Sequence, residues 1–221
     1  MTRPVLYVLA GVNGAGKSSI GGHLLKQEGL SWFNPDAFAR ELKAATGCDP
    51  EAANARAWQE GMRRLDEAMA KGLNYACETT LGGKTVAAKI LEATKTHDVL
   101  IWFCGLSSPE LHIARVKARV AAGGHPIPEE KIHERYPAAL LNLIKLMPHV
   151  AYVQVYDNST EAAPDGTVPE PLLVLDMEDG QVISPASDDL NALQSALEWT
   201  KPILEAALLG SNVGTNGDTR A

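Results

Sequence analysis

Cysteine is scarce in this sequence and poorly placed for pairing: Cys48, Cys77 and Cys104 are odd in number, far apart and never in a Cys-x-x-Cys spacing. That excludes a disulfide framework and a zinc ribbon, and leaves the three as small buried apolar residues. No apolar run approaches the length of a membrane span. A basic stripe is missing too. With 20 Lys and Arg against 27 Asp and Glu the net charge is -7, which argues against binding long nucleic acid, since neutralising a phosphate backbone needs clustered cations. The chain passes from Met1-Thr2-Arg3-Pro4 directly into apolar residues, so no signal peptide and a cytoplasmic location are expected. Internal repeats and composition breaks are absent as well. The 221 residues therefore read as one domain over 1–209 and a flexible tail at 210–221.

What the sequence does have is Gly11-Val12-Asn13-Gly14-Ala15-Gly16-Lys17-Ser18, followed by Ser19. This is the G-x-x-x-x-G-K-[ST] pattern of a phosphate-binding P-loop. Its context fits: Val5 to Ala10 is a short buried strand, and Lys17 through Leu25 reads as a helix beginning where the loop ends. A loop so placed turns backbone N–H groups, from Gly11, Asn13, Gly14, Ala15 and Gly16 onward, toward the phosphates of ATP or GTP at the positive end of a helix dipole. Lys17 then reaches the β- and γ-phosphates, and Ser18 ligates Mg²⁺.

Further along, Leu30 to Phe33 reads as a second strand leading into Asn34-Pro35-Asp36. Asn34 suits a helix cap, Pro35 the first helical position and Asp36 the first turn. Asp36 also falls beyond the carboxyl end of a strand, where ligands of parallel α/β sheets gather, so a second role as acceptor of a substrate proton is open to it. Ala55, Trp58, Met62, Leu65 and Met69 form the stripe of an amphipathic helix over 51–71, read as core. Leu73 to Thr80 is a third strand with Glu78 and Thr80 at its polar end, where a rim ion pair and a helix cap are the plainer assignments. Asp98 to Gly105 is a central strand. Ser108-Pro109 opens a helix to about Ala122, with Ile113, Val116 and Val120 inward and Arg115 and Arg119 together on one side.

Gly123-Gly124-His125-Pro126-Ile127-Pro128 then looks like a hinged lid, followed by a helix with Arg135 near its start and a kink or late start expected at Pro137. His149 to Tyr156 reads as a fifth strand and Glu161 to Glu170 as a surface connection. A hairpin is expected at Asp179-Gly180, and one leucine-rich helix over about 190–208 despite Pro202. The fold class is thus α/β: a three-layer sandwich of P-loop NTPase type with a mostly parallel sheet, a helical lid, and a small C-terminal hairpin and helix.

In their order, the P-loop, Asn34-Pro35-Asp36, Glu78-Thr79-Thr80 and the run from Arg115 to Arg135 around the Gly-Gly-His-Pro lid resemble the zeta toxin family of P-loop kinases over about the first 160 residues. The resemblance implies phosphorylation of a hydroxyl on a nucleotide sugar, UDP-N-acetylglucosamine in the toxins, with a small helical antitoxin as partner. It implies Asp36 as general base, Glu78 and Thr80 as holders of substrate and of metal-bound water, and Asn34 as a substrate-binding residue. It implies Arg115 on the transferring phosphate, and His125 where the family has a second arginine. Arg119 or Arg135 would then supply the missing charge. The Asn-Pro-Asp and Gly-Gly-His forms are nearer the family's chromosomal, ABC-ATPase-like relatives than its plasmid toxins.

Overall fold

Proline and short polar side chains start three of the helices. Asn34-Pro35, Asp49-Pro50 and Ser108-Pro109 each place a side-chain acceptor at the cap and proline just inside it, opening α1 (Pro35–Thr46), α2 (Pro50–Lys71) and a later helix, Pro109–Ala121. Gly47 and Gly72, with positive φ, close the first two. The computed structural model describes residues 2–18, 21, 25, 31–161, 169–186 and 189–214. Ser19, Leu30, residues 162–168 of the Glu161–Glu170 connection and residues 215–221 of the tail lie outside the described residues, as does most of the helix expected after Ser18.

The strands are β1 (Val5–Ala10), β2 (Tyr75–Thr79), β3 (Asp98–Gly105), β4 (Tyr152–Asp157), β5 (Leu172–Glu178) and β6 (Gln181–Ser184). They form one sheet in the order β2-β1-β3-β4-β5-β6; the first four are parallel and the last two antiparallel. The remaining helices are α3 (Lys84–Ala93), α4 (Pro109–Ala121), α5 (Glu129–Leu146), α6 (Leu190–Gln194) and α7 (Lys201–Gly214). Because β1 connects to neighbours on both sides, the chain reverses direction across the sheet at β1, and the crevice at its carboxyl end is where a doubly wound sheet binds ligands. Register brings the exits together: Ala10 pairs with Thr79 on one side and Phe103 on the other, and Gly105 with Asp157.

The main core joins Leu6, Val8, Ile101, Phe103, Val153 and Val155 of the sheet to Ile132, Leu143 and Leu146 of α5. By area, each fully buried aliphatic of this kind contributes about 1.5–3 kcal/mol. A smaller cluster on the other side of β1 holds Leu9, Leu25 and Ala76, with Trp102 stacked on Tyr7 at 5.8 Å.

Several expectations are corrected. Leu30–Phe33 is no strand in its described part: Phe33 alone makes a parallel bridge, to Cys77, because Pro35 and the Asn34 cap end extended pairing at once. Pro137 neither delays nor breaks α5, which runs through it from Glu129. Val120 is exposed, since the inward face of α4 ends at Val116. The leucine-rich terminal segment is two helices. Pro202 sits in the first turn of the second, where a missing N–H costs nothing, and that helix runs past Gly210 to Gly214. The Asp179-Gly180 hairpin forms with both residues at positive φ, and it extends the main sheet beyond β4.

Candidate active site

The P-loop is shaped by what surrounds it. Gly11 has φ +137°, and a Cβ there would lie 2.1 Å from the Cys104 carbonyl oxygen; Gly14 has φ +89° with the His112 carbonyl against it. Elements far along the chain hold the loop's carbonyls. The buried His112 donates from Nδ1 to Asn13 O at 2.9 Å, and Cys104 Sγ and Asn158 Nδ2 both donate to Ala15 O at 2.9 Å. Burial, with Lys17 and Arg115 adding their charge, brings His112 down to about 4 against the pull of its hydrogen bond, so the ring is neutral at physiological pH. Burial likewise pushes the Cys104 thiol up to about 12, and the described cysteines are all free.

Lys17 is buried, and its Nζ lies 3.5 Å from Glu78 Oε1. The other Glu78 oxygen accepts from Ser18 Oγ at 2.9 Å and from Asn34 Nδ2 at 2.8 Å. Glu78 is therefore no rim ion pair: its side chain is 10% exposed and it ties three elements together. Asn34 does two jobs, since its Oδ1 also accepts from the Ala37 N–H at 3.0 Å and caps α1. With the cap supplied by Asn34, the Asp36 carboxylate has no hydrogen-bond or ion-pair partner among the described residues, and it lines a cavity of about 430 Å³ that Lys17 also lines. Thr80 lines it as well. Its Oγ1 accepts from the Gly82 N–H at 3.5 Å, while Gly83, not Thr80, stands at the cap of α3.

The arginines separate. Arg135 reaches the cavity, donates from Nη1 to Asn13 Oδ1 at 2.8 Å, and packs against Gly82. Arg115 flanks the P-loop at Gly14 from outside the cavity and donates to Thr160 O at 3.1 Å. Arg119 is exposed and folds the Gly123–Pro128 segment by donating to His125 O at 2.8 Å; neither it nor the exposed His125 lines the cavity. Of that segment, Ile127 does.

Sequence reasoning missed much of the cavity. Asn54, Lys131 and Glu134 line it, and so do Trp58, Met62 and Leu65, from the stripe read as core. Of the expected stripe Leu65 is core and Met62 and Met69 pack against it, while Ala55 is exposed and the buried face of α2 is completed by Ala53, Ala57, Gly61 and Ala68, which leaves Trp58 47% exposed at the cavity wall. The available signal was the run of small residues one position away from the large ones. His112 was missed as well. Its signal was placement one turn before Arg115 on a helix opening beyond a central strand.

The loop's positive-φ glycines and inward-held Lys17 fit a triphosphate. Ser18 Oγ and the Glu78 carboxylate offer hard oxygen donors of the kind Mg²⁺ takes alongside nucleotide phosphates, and no cluster of three or more His, Cys, Asp or Glu among the described residues would bind a metal by itself. No described helix is long and apolar enough to cross a membrane.

A family model for the AAA domain, AAA_33, matches residues 6–136. An uncharacterized protein of Haemophilus influenzae is 26% identical over 145 residues, covering 62% of this chain and 100% of that protein. The crystal structure of AvrRxo1-ORF1:-ORF2 with ATP contains a chain similar to this one with TM-score 0.64 and 16% identity over 93% of this chain; this chain spans 64% of its length. The PezAT chromosomal toxin–antitoxin system of Streptococcus pneumoniae gives TM-score 0.54 at 18% identity, covering 77% of this chain and 72% of that one. At such identities the structural likeness speaks for the fold alone. With more than half of its sequence matched by the family model and a six-stranded, mostly parallel sheet to carry the P-loop, the chain belongs to the AAA domain family and has a P-loop NTPase-like α/β fold.

Proposed function

We propose that this protein is a kinase that transfers the γ-phosphate of ATP or GTP to a hydroxyl of a small molecule. One observation carries the reading: the Asp36 carboxylate, without a partner among the described residues, lines the same cavity as the P-loop lysine. Phosphoryl transfer asks the protein chiefly for positioning and charge stabilisation. Lys17 and the loop amides hold the donor phosphates, with Arg135 reaching Asn13 of the loop and the stem of Arg115 against Gly14, its guanidinium on Thr160 O. Asp36 accepts the acceptor's hydroxyl proton as that oxygen bonds to the γ-phosphorus and the bond to the β,γ-bridging oxygen breaks, leaving the nucleoside diphosphate. Ser18 and Glu78 would hold Mg²⁺, which when bound neutralises charge on the phosphates. Arg119 acts through the lid segment that it folds.

The zeta-toxin likeness implies UDP-N-acetylglucosamine as the acceptor and a small helical antitoxin as partner. Similarity to a toxin–antitoxin protein and to a chain crystallised with ATP supports that reading and the choice of ATP. Incubation with Mg²⁺, γ-labelled ATP and a panel of alcohols that includes UDP-N-acetylglucosamine tests it: label on an acceptor is expected, and label only in free phosphate would overturn it. Growth arrest on expression that disappears in Lys17→Ala is the expected sign of a toxin.

A further inference from the structure

Arg135 is held at both ends of its side chain, and the hold at its guanidinium leads back to a residue outside the cavity. Its stem packs against Gly82 beyond β2, where an added Cβ would lie 2.8 Å from Arg135 Cγ. Its Nη1 donates to Asn13 Oδ1 at 2.8 Å. Asn13 is 5% exposed and is fixed in turn through its main chain, whose carbonyl accepts from Nδ1 of His112 at 2.9 Å. The His112 and Tyr136 rings meet edge to face, with centroids 5.6 Å apart at 70°, and Tyr136 Oη donates to Leu106 O at 3.1 Å. Contacts therefore run in a closed circuit from α4 through the P-loop to α5 and back. His112 is its pivot. The residue is 1% exposed and kept neutral by burial, so it supplies a hydrogen bond to the loop without adding a charge.

Arg135 lines the cavity that Asp36 also lines. On the kinase reading above, on which this inference rests, its charge stands at the terminal phosphate, the one turned toward the acceptor. An arginine loses rotamer freedom when it clamps a phosphate, and one already held in place loses less. We propose that His112 is a positioning residue for the donor half: by holding Asn13 and Tyr136 together it sets the Arg135 guanidinium at the terminal phosphate, and so makes the site prefer a nucleoside triphosphate to a diphosphate.

Calorimetric titration of the full chain with Mg²⁺ present tests this, using the β,γ-imido analogues of ATP and GTP against ADP and GDP, with the base that binds more tightly carried forward. The wild type is expected to favour the triphosphate by about tenfold or more, as charge-assisted hydrogen bonds to one further phosphate do. His112→Leu is expected to cut that preference by about tenfold and to leave diphosphate affinity within about twofold. His112→Asn, which keeps an N–H donor close to the position of Nδ1, is expected to retain most of the preference. Arg135→Gln should cost as much as His112→Leu, and the double variant no more than either, since both act through one contact. His112→Ala repeats the measurement if the leucine variant does not fold. Equal weakening of triphosphate and diphosphate, an unchanged preference, additive losses in the double variant, no rescue by His112→Asn, or no saturable nucleotide binding overturns the proposal. Labelled ATP with the panel of alcohols separates it from the kinase reading. Transfer to an alcohol by a protein whose triphosphate preference ignores His112 refutes the role of His112 and keeps the kinase. A preference that depends on His112, with label only in free phosphate, refutes the kinase and keeps the positioning role.

Discussion

The donor half and the acceptor half of this site are built differently. The groups proposed to face the donor phosphates come from eight consecutive residues, Gly11 to Ser18, whose glycines and lysine are recognisable in any context that places a strand before them. The acceptor cavity draws on α1, α2, β2, α3, α5 and the segment before α5, and no two of those contributions are identifiable from one another. Local chemistry makes the first. Packing makes the second, and there small side chains on α2 matter as much as large ones.

Substitutions can break that contrast. The largest effect is expected at Lys17: Lys17→Ala should lower transfer by about two to three orders of magnitude and weaken nucleotide binding with it. Asp36→Ala should lower transfer by about two orders of magnitude and leave the nucleotide dissociation constant within about twofold. Titration with a fluorescent nucleotide beside a transfer assay reads both, and if Asp36→Ala also abolished nucleotide binding the two halves would not be separable.

Next come the glycines. Gly11→Ala drives a Cβ to 2.1 Å from a backbone oxygen at positive φ and should destabilise by about 3 kcal/mol or more in urea unfolding. Gly61→Ala meets the Phe33 ring at 2.9 Å, the edge of a side chain, and gains helix propensity, so its stability should change by less than about 1 kcal/mol. Equal losses would mean that the cavity wall is as rigid as the loop.

Acidity tests the loop's remote support. His112 binds its proton near pH 4 when folded and near its ordinary 6.5 when unfolded. Between those values the unfolded chain holds the extra proton, so the stability present above about 6.5 falls as pH drops toward 4, by up to about 3 kcal/mol. Denaturant midpoints measured across that window should slope, and the slope should flatten in His112→Gln. The smallest effect is expected on the outer face of α2, where Glu60 bonds Arg63 and Arg64 in solvent. Glu60→Ala should leave the unfolding midpoint nearly unchanged, as surface pairs usually do.

Much of the framework was legible. The Asn34-Pro35 and Ser108-Pro109 starts, the Asp98–Gly105 strand and the Asp179-Gly180 turn all formed where local chemistry placed them, because caps, prolines and turn glycines act within a few residues. What went astray was the orientation of faces and the partner of each charge. A stripe of large apolar residues on a helix usually points inward, which predicts Trp58 in the core; here Ala53, Ala57, Gly61 and Ala68 allow close packing beside Leu65, and Trp58 turns out to the cavity wall. Arg115, Arg119 and Arg135 share a charge and lie within 21 residues, yet one flanks the loop, one folds the lid and one enters the cavity. Helix phase and loop path decide that.

The sequence by itself determined that the chain has a nucleotide-type P-loop between strand and helix, and where its helices begin, because those features depend on φ preferences, hydrogen bonds and charges within a few residues. Only the tertiary structure decided that Asp36 faces the cavity, that Glu78 ties Lys17 to Ser18, and that Trp58 lines the wall. Those outcomes depend on distances between segments far apart in sequence, 60 residues for Ser18 and Glu78, which sheet order and helix packing set and no local preference encodes.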